Sequence, residues 1–419
     1  MRSFRMRDAL FYNLTVMLPL VLSTLLIANS FATHPPIDDD KLAKKARKIH
    51  QRILTLDTHA DAPINMQRPG FDVGVTHDTK KDQSQIDFPR MKAGGMDAMF
   101  FAVYTSQGPR TDAGHAEAKR NALNQFDLIH QALKKYPNLA ELASTPADAY
   151  RIQKAGKRAV FIGMENGYPV GNDLSMLKTY YDLGARYITL THFANNLIGD
   201  SSTDPDGPMY GGLSDFGKKV VVEMNRLGIL IDVSHVADST FYDALALSKA
   251  PVIASHSNCR ALCDFPRNMT DDMIRAIAAK GGVVQVNFVS DYLKKPSDAH
   301  RAAKTKIRMA RVGKVATPEL EARIAAQSDS VSKAYASERA SLSDIADHID
   351  HIVKLVGIDH VGIGSDFDGG GGVNGLEDVS QIENLTAELL RRQYSEADIA
   401  KIWGGNLLRV LGQAKVDLN

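Results

Sequence analysis

The sequence predicts an α/β fold, a (β/α)8 TIM-type barrel, and three observations carry that prediction. Eight apolar, β-branched runs recur along the chain, amphipathic helical stretches fill most of the gaps between them, and several of those stretches end in glycine. Buried strands alternating with amphipathic helices make a parallel sheet, and eight repeats close it into a barrel rather than leaving it open. The 419 residues are enough for one such barrel, and 44% hydrophobic with 24% charged residues is ordinary for a globular protein. A formal net charge of +1 excludes a global field that would recruit nucleic acid or anionic lipid.

The chain opens on a segment with different physics. Arg2, Arg5 and Arg7 precede the apolar run TVMLPLVLSTLLIA, then NSFA and the polar THPPIDDD. A basic start, a short apolar stretch and small residues at Ser30 and Ala32 predict a secretory signal over 1–32, cleaved after Ala32. At 14 residues the run is shorter than the roughly 20 a bilayer-spanning helix needs, so a retained anchor is the lesser reading. Cleavage removes three arginines and Asp8, leaving 47 basic and 48 acidic residues. The exported product is expected in the periplasm or outside the cell, with no stable membrane insertion.

The remainder, 33–419, reads as one barrel domain. Its predicted strands are ILTLDTH (53–59), MDAMFFAVY (96–104), AVFIGME (159–165), YITLTH (187–192), GILIDVSH (228–235), PVIASHS (251–257), GVVQVNF (282–288) and HVGIGSDF (360–367). Helical pattern occupies AEAKRNALNQFDLIHQALKKY, LSMLKTYYDLGA, SDFGKKVVVEMNRLG, TDDMIRAIAAKG and LSDIADHIDHIVKLVG. Terminal glycines in several of these are helix C-cap signals. Between the seventh and eighth strands, a polar excursion over about 294–341 is helical in composition and locally basic. It has almost no aromatics to stack bases, so a solvated helical excursion is the better reading than a nucleic-acid patch. It leaves the sheet beside Tyr292, which makes a partial lid an option.

Barrel enzymes keep their chemistry at the C-terminal ends of the strands. The first run ends in His59 and Asp61, the third in Glu165 and the fourth in His192. The fifth ends in His235, the sixth in His256 and the eighth in Asp366. Any one of these could be an ordinary surface or capping side chain, but seven at one rim is a different matter. His59, Asp61, Glu165, His235 and His256 form a donor set for divalent ions, since zinc favours imidazole and carboxylate. One catalytic zinc needs three ligands, so five favour two ions, with Glu165 able to bridge them and a shared water acidified to hydroxide. His360, at the opposite end of its strand, is read as structural. Cys259 and Cys263 lack the further ligands of a zinc knuckle and are expected to be unbridged thiols.

These residues resemble the renal or membrane dipeptidases and their bacterial relatives, from about residue 50 to the C-terminus. The resemblance is carried by DTHAD, GMENG, LGARYITLTH, DVSH, ASHSN, RNMTDDMI, VNFVSDY and GIGSDFDG, in that order. It implies a dinuclear zinc metallopeptidase, with two Zn2+ per chain held by His59, Asp61, Glu165, His235 and His256. It also implies a substrate-contacting His192, a carboxylate grip by Arg267 and Tyr292, and Asp366 as the group that holds the substrate ammonium and relays the proton. Catalysis would then rest on His192, Asp366 and Glu165, with a zinc-bridged hydroxide attacking free dipeptides, including those with a C-terminal D-residue. The partner expectations are a dipeptide substrate and no nucleic acid, with homodimer formation left open. The rivals are another metal-dependent amidohydrolase, acting on N-acyl-amino acids or β-lactams, and a non-catalytic or tailoring barrel.

Two departures from the family pattern stand out. MENG replaces a Glu-Gly-Gly type of turn, so Asn166 is expected to reshape the pocket. The glycine run 369–372 is expected to be a mobile rim loop rather than a phosphate cradle, because no phosphate-loop Lys or Ser/Thr accompanies it.

Overall fold

Alternation along two strands shows how this sequence makes a barrel. In β2 (Ala98–Tyr104), Ala98 and Phe100 join the inner cluster, whereas Met99, Phe101 and Val103 join the outer one. In β4 (Arg158–Glu165), Ala159 and Phe161 face inward while Val160, Ile162 and Met164 face the helices. This is the period of two of a strand buried on both faces. The computed structural model describes residues 39–311 and 318–415, so the expected signal over 1–32 lies outside the described residues.

The remaining strands are β1 (Leu56–Ala60), β3 (Ala140–Leu142), β5 (Ala185–Thr189), β6 (Leu230–Asp232), β7 (Ile253–Ala254), β8 (Val283–Val286) and β9 (Val361–Ile363). All pairings are parallel, in the order β1-β2-β4-β5-β6-β7-β8-β9, and β3 pairs the first residues of β4. The circuit is closed by an isolated parallel bridge between Ala60 and Phe367. Asp61 N–H donates to the Phe367 carbonyl at 2.8 Å and Asp366 N–H to the His59 carbonyl at 3.0 Å. The eight expected strands are present, though β6 and β7 are much shorter than their apolar runs. β3 was not anticipated, being only three residues of mixed character.

The barrel floor is aromatic. Phe100 stacks on Phe161 at 4.8 Å and tilts against Tyr187 at 5.3 Å, with Leu56, Leu230, Ile253 and Val283 completing the inner cluster. Each such side chain contributes roughly 1.5–3 kcal/mol on burial. Gly163 makes this packing possible, because a Cβ there would lie 2.1 Å from the Tyr187 ring.

Helices seal the outer face, and their ends follow local chemistry. The helix Asp215–Leu227 begins at Ser214, whose side chain accepts from Gly217 N–H, and stops at Gly228, left-handed at φ 82°. Within 294–341, the described residues form helices Asp298–Arg311 and Pro318–Ala334. Cys259 and Cys263 are buried free thiols, and burial pushes the Cys263 thiol up to about 11. No described helix is long and apolar enough to cross a membrane.

Candidate active site

Strict alternation from Leu56 would point His59 outward. The register between β1 and β2 shifts between Asp57 and Ala60, and this irregularity turns the imidazole into the barrel. Its Nδ1 meets the Tyr187 hydroxyl at 2.8 Å. Asp61 lies just past the strand, at the N-cap of the short helix Ala62–Met66, yet its Oδ2 comes within 3.5 Å of His59 Nε2. In β4 the inward positions 159, 161 and 163 lead to Glu165 at the rim.

Glu165 is the hub of the cluster. Its Oε1 lies 3.0 Å from His235 Nε2, 3.2 Å from His256 Nε2 and 3.6 Å from His192 Nε2, while its Oε2 lies 3.6 Å from His59 Nε2. Burial opposes its ionisation, but the surrounding imidazoles of His192, His59, His235 and His256 hold it well below the usual carboxylate range. Burial keeps His192, His235 and His256 below the usual imidazole range. Burial and the neighbouring Asp61 push Asp366 up to about 8.

A second layer of hydrogen bonds orients this cluster. Ser255 Oγ donates to Asp232 Oδ2 at 2.6 Å and sits 2.7 Å from His256 Nδ1. Asp232 also accepts from Thr189 Oγ1 at 2.5 Å and from the amides of Ser234 and Ser255. The serine proton is thus committed to the aspartate, so Ser255 accepts from His256 Nδ1–H and leaves the Nε2 lone pair facing Glu165 and His235. Such partners fix the tautomer of a metal-binding histidine. Asn287 Nδ2 donates to Asp366 Oδ2 at 2.8 Å.

The donor set fits divalent cations. His59 Nε2 and Asp61 Oδ1 are buried without a hydrogen-bond partner. The groups His59–Glu165–His256, Glu165–His192–His235 and His59–Asp61–Asp366 each bring their ligand atoms within 4.8 Å of one another. Distance alone therefore does not divide metal ligands from His192 and Asp366; that division rests on the family pattern.

A cavity of about 180 Å³ opens onto the cluster, lined by Asp61, Glu165, His192, His235 and Asp366, with Ile64, Tyr104, Phe193, Val289, Tyr292 and Gly369. Arg267 is buried and does not line it. Its Nη1 donates to Ser257 Oγ and its Nη2 to the His256 carbonyl, both at 2.6 Å, while Nε has no partner. The Arg267 guanidinium carbon lies 6.0 Å from the centre of the Tyr292 ring.

Three expectations about the surroundings change. Asn166 does not line the cavity. It sits in a left-handed turn (φ 75°) with its carboxamide donating to the Thr105 carbonyl and accepting from Tyr168 N–H and Asn196, so it braces the loop instead. The amides of Gly369, Gly371 and Gly372 donate to the carbonyls of Asp366, Asp366 and Phe288, which makes this run a fastened turn, not a free rim loop. Gly369 is needed for closeness, since a Cβ would lie 2.1 Å from Asp61 Oδ2 and 2.2 Å from Asp366 Oδ1. No described residue of the 294–341 excursion lines the cavity, so among the described residues the excursion forms no lid over it.

Sequence reasoning missed Tyr104, Phe193, Asp232 and Ser255. Tyr104 closes the second predicted strand and Phe193 follows His192, so position could have found both.

Carboxylates and imidazoles gathered at the C-terminal rim of a closed (β/α)8 barrel define a metal-dependent hydrolase. Residues 43–418 match the membrane dipeptidase family, peptidase family M19, and the chain belongs to that family, a metallopeptidase. It is 34% identical to Dipeptidase aclJ of Aspergillus oryzae over 336 residues, covering 79% of this chain and 70% of that protein. It is also 34% identical to Dipeptidase verJ of Clonostachys rogersoniana over 383 residues, covering 89% and 87%. Among solved structures, the probable dipeptidase PvdM of Pseudomonas aeruginosa superposes with a TM-score of 0.79 at 33% identity, covering 90% of this chain and 99% of that one.

Proposed function

We propose that this metallopeptidase is an exported zinc dipeptidase that uses two zinc ions to cleave free dipeptides, including those ending in a D-residue. The observation that carries the reading is one small cavity joining a five-donor cluster to a carboxylate, Asp366, with the buried guanidinium of Arg267 nearby. His59, Asp61, Glu165, His235 and His256 would hold the ions, with Glu165 shared between them. When bound, the ions would supply Lewis acidity, activating a water to hydroxide and polarising the scissile carbonyl.

The chain's own groups do the rest. His192, against Glu165 at the cavity wall, stabilises charge developing on the carbonyl oxygen, a role worth about 3–4 kcal/mol in comparable sites. Asp366, oriented by Asn287, holds the substrate ammonium and passes a proton to the leaving amine. Tyr292 on the cavity wall, with the buried positive charge of Arg267 6.0 Å from its ring, would receive the terminal carboxylate.

Tolerance of a C-terminal D-residue rests on the family resemblance, and export rests on the character of residues 1–32. The zinc-loaded enzyme should hydrolyse L-Ala-L-Ala and L-Ala-D-Ala, with the metal-stripped protein inactive and recovering on zinc addition. A preference above a hundredfold for the L-form would overturn the stereochemical part. Export is checked by the N-terminus of the mature protein, expected at Thr33.

A further inference from the structure

Phe193 is the one large apolar residue of the cavity wall that is also strongly exposed, at 49%. Its ring lies 4.0 Å from that of His192 and meets His235 edge-on at 5.3 Å. Tyr104 flanks His192 at 4.8 Å. A half-bare ring beside the reacting groups loses water contact only when something apolar covers it.

The strand order says which part of a substrate that is. Going round the barrel, the loop after β5 that carries Phe193 lies four strands from β9, where Asp366 stands. It lies only two strands from β7, whose following loop carries Arg267. The ring therefore faces the carboxylate half of a bound dipeptide and stands opposite its amine. We propose that Phe193 is a specificity-determining residue that selects apolar and aromatic side chains on the C-terminal residue, an inference that rests on the dipeptidase reading.

The test compares zinc-loaded wild type, Phe193→Ala and Phe193→Leu on two series, Ala-X and X-Ala, with X as Gly, Leu or Phe. Phe193→Ala should lower kcat/KM for Ala-Phe and Ala-Leu about 5- to 20-fold relative to Ala-Gly, mostly through KM. The X-Ala series should keep its internal ratios, and Phe193→Leu should restore Ala-Leu to within about threefold. Zinc content measured on each variant guards against a disturbed His192 or His235. If the Ala-X ratios stay put, or both series shift alike, Phe193 does not read the C-terminal side chain while the dipeptidase reading stands. If wild type cleaves neither series, the dipeptidase reading fails and takes this inference with it.

Discussion

His235 and His256 point their Nε2 atoms at each other across 3.0 Å, with Glu165 Oε1 within 3.2 Å of both. Both rings are held below the usual imidazole range by burial, and Ser255 Oγ accepts a hydrogen bond from His256 Nδ1–H. Two imidazoles aimed at one carboxylate oxygen form half of the proposed chelate, and His59 Nε2 lies 3.6 Å from the other oxygen, with Asp61 Oδ2 3.5 Å from that same nitrogen.

Extensively dialysed protein should retain two zinc ions per chain at full activity. Glu165→Ala should lose both ions together because it removes the shared donor, whereas His256→Ala should mainly cost one. Metal analysis that finds one equivalent at full activity, or identical losses in the two variants, contradicts the arrangement.

Ser255 never touches the cavity, yet it links Asp232 to His256. Ser255→Ala should weaken zinc binding by about 10- to 100-fold in competition with a chelator, with the far-UV spectrum unchanged. Unaltered affinity would mean that His256 is held by packing alone.

Substrate length should be measured at both ends. Amidating the carboxylate would leave Arg267 buried and unpaired, at a cost of about 2–5 kcal/mol. Borne in the transition state, that is a loss of roughly 30- to several-thousand-fold in kcat/KM. N-acetylation should do comparable damage at Asp366, and Ala-Ala-Ala should be spared. Arg267→Ala should narrow the gap between Ala-Ala and its amide. Similar kcat/KM values for all four substrates would replace the dipeptidase reading with a broader amidohydrolase one.

Far from the cavity, His50 gives the fold a pH dependence. Its ring is 2% exposed, 2.9 Å from Thr386 Oγ1 and edge-on to Trp403, and burial lowers its pKa from 6.5 to about 4. The folded state therefore favours the neutral ring, and its contribution is complete above pH 6.5. It is lost as pH falls towards 4, amounting to about 3 kcal/mol once both states are protonated. Urea unfolding at pH 7 and pH 4.5 should show this loss in wild type and a smaller one in His50→Gln.

The sequence made the barrel legible because strands buried on both faces read as apolar runs, and the rim residues stood out as the polar ends of those runs. Strand lengths were less legible, because they depend on where the backbone leaves the ladder. His235 and Asp366 adopt φ of 68° and 61°, conformations that side-chain pattern does not announce and that cost of order 1–3 kcal/mol. The Asp232–Ser255–His256 chain stayed hidden for another reason. Its members come from two separate strands, and only the closed sheet sets them side by side.

The barrel's seam runs through its chemistry. β1, which carries His59, has β2 on one edge, and its other edge is joined to the last strand's extension by the Ala60–Phe367 bridge. A nascent chain that has not yet released residue 367 leaves that edge open to water. An ion held by the proposed ligand His59 would clasp the first strand to the folded remainder, so the apoprotein should open first along this line and protease cleavage should be earliest there.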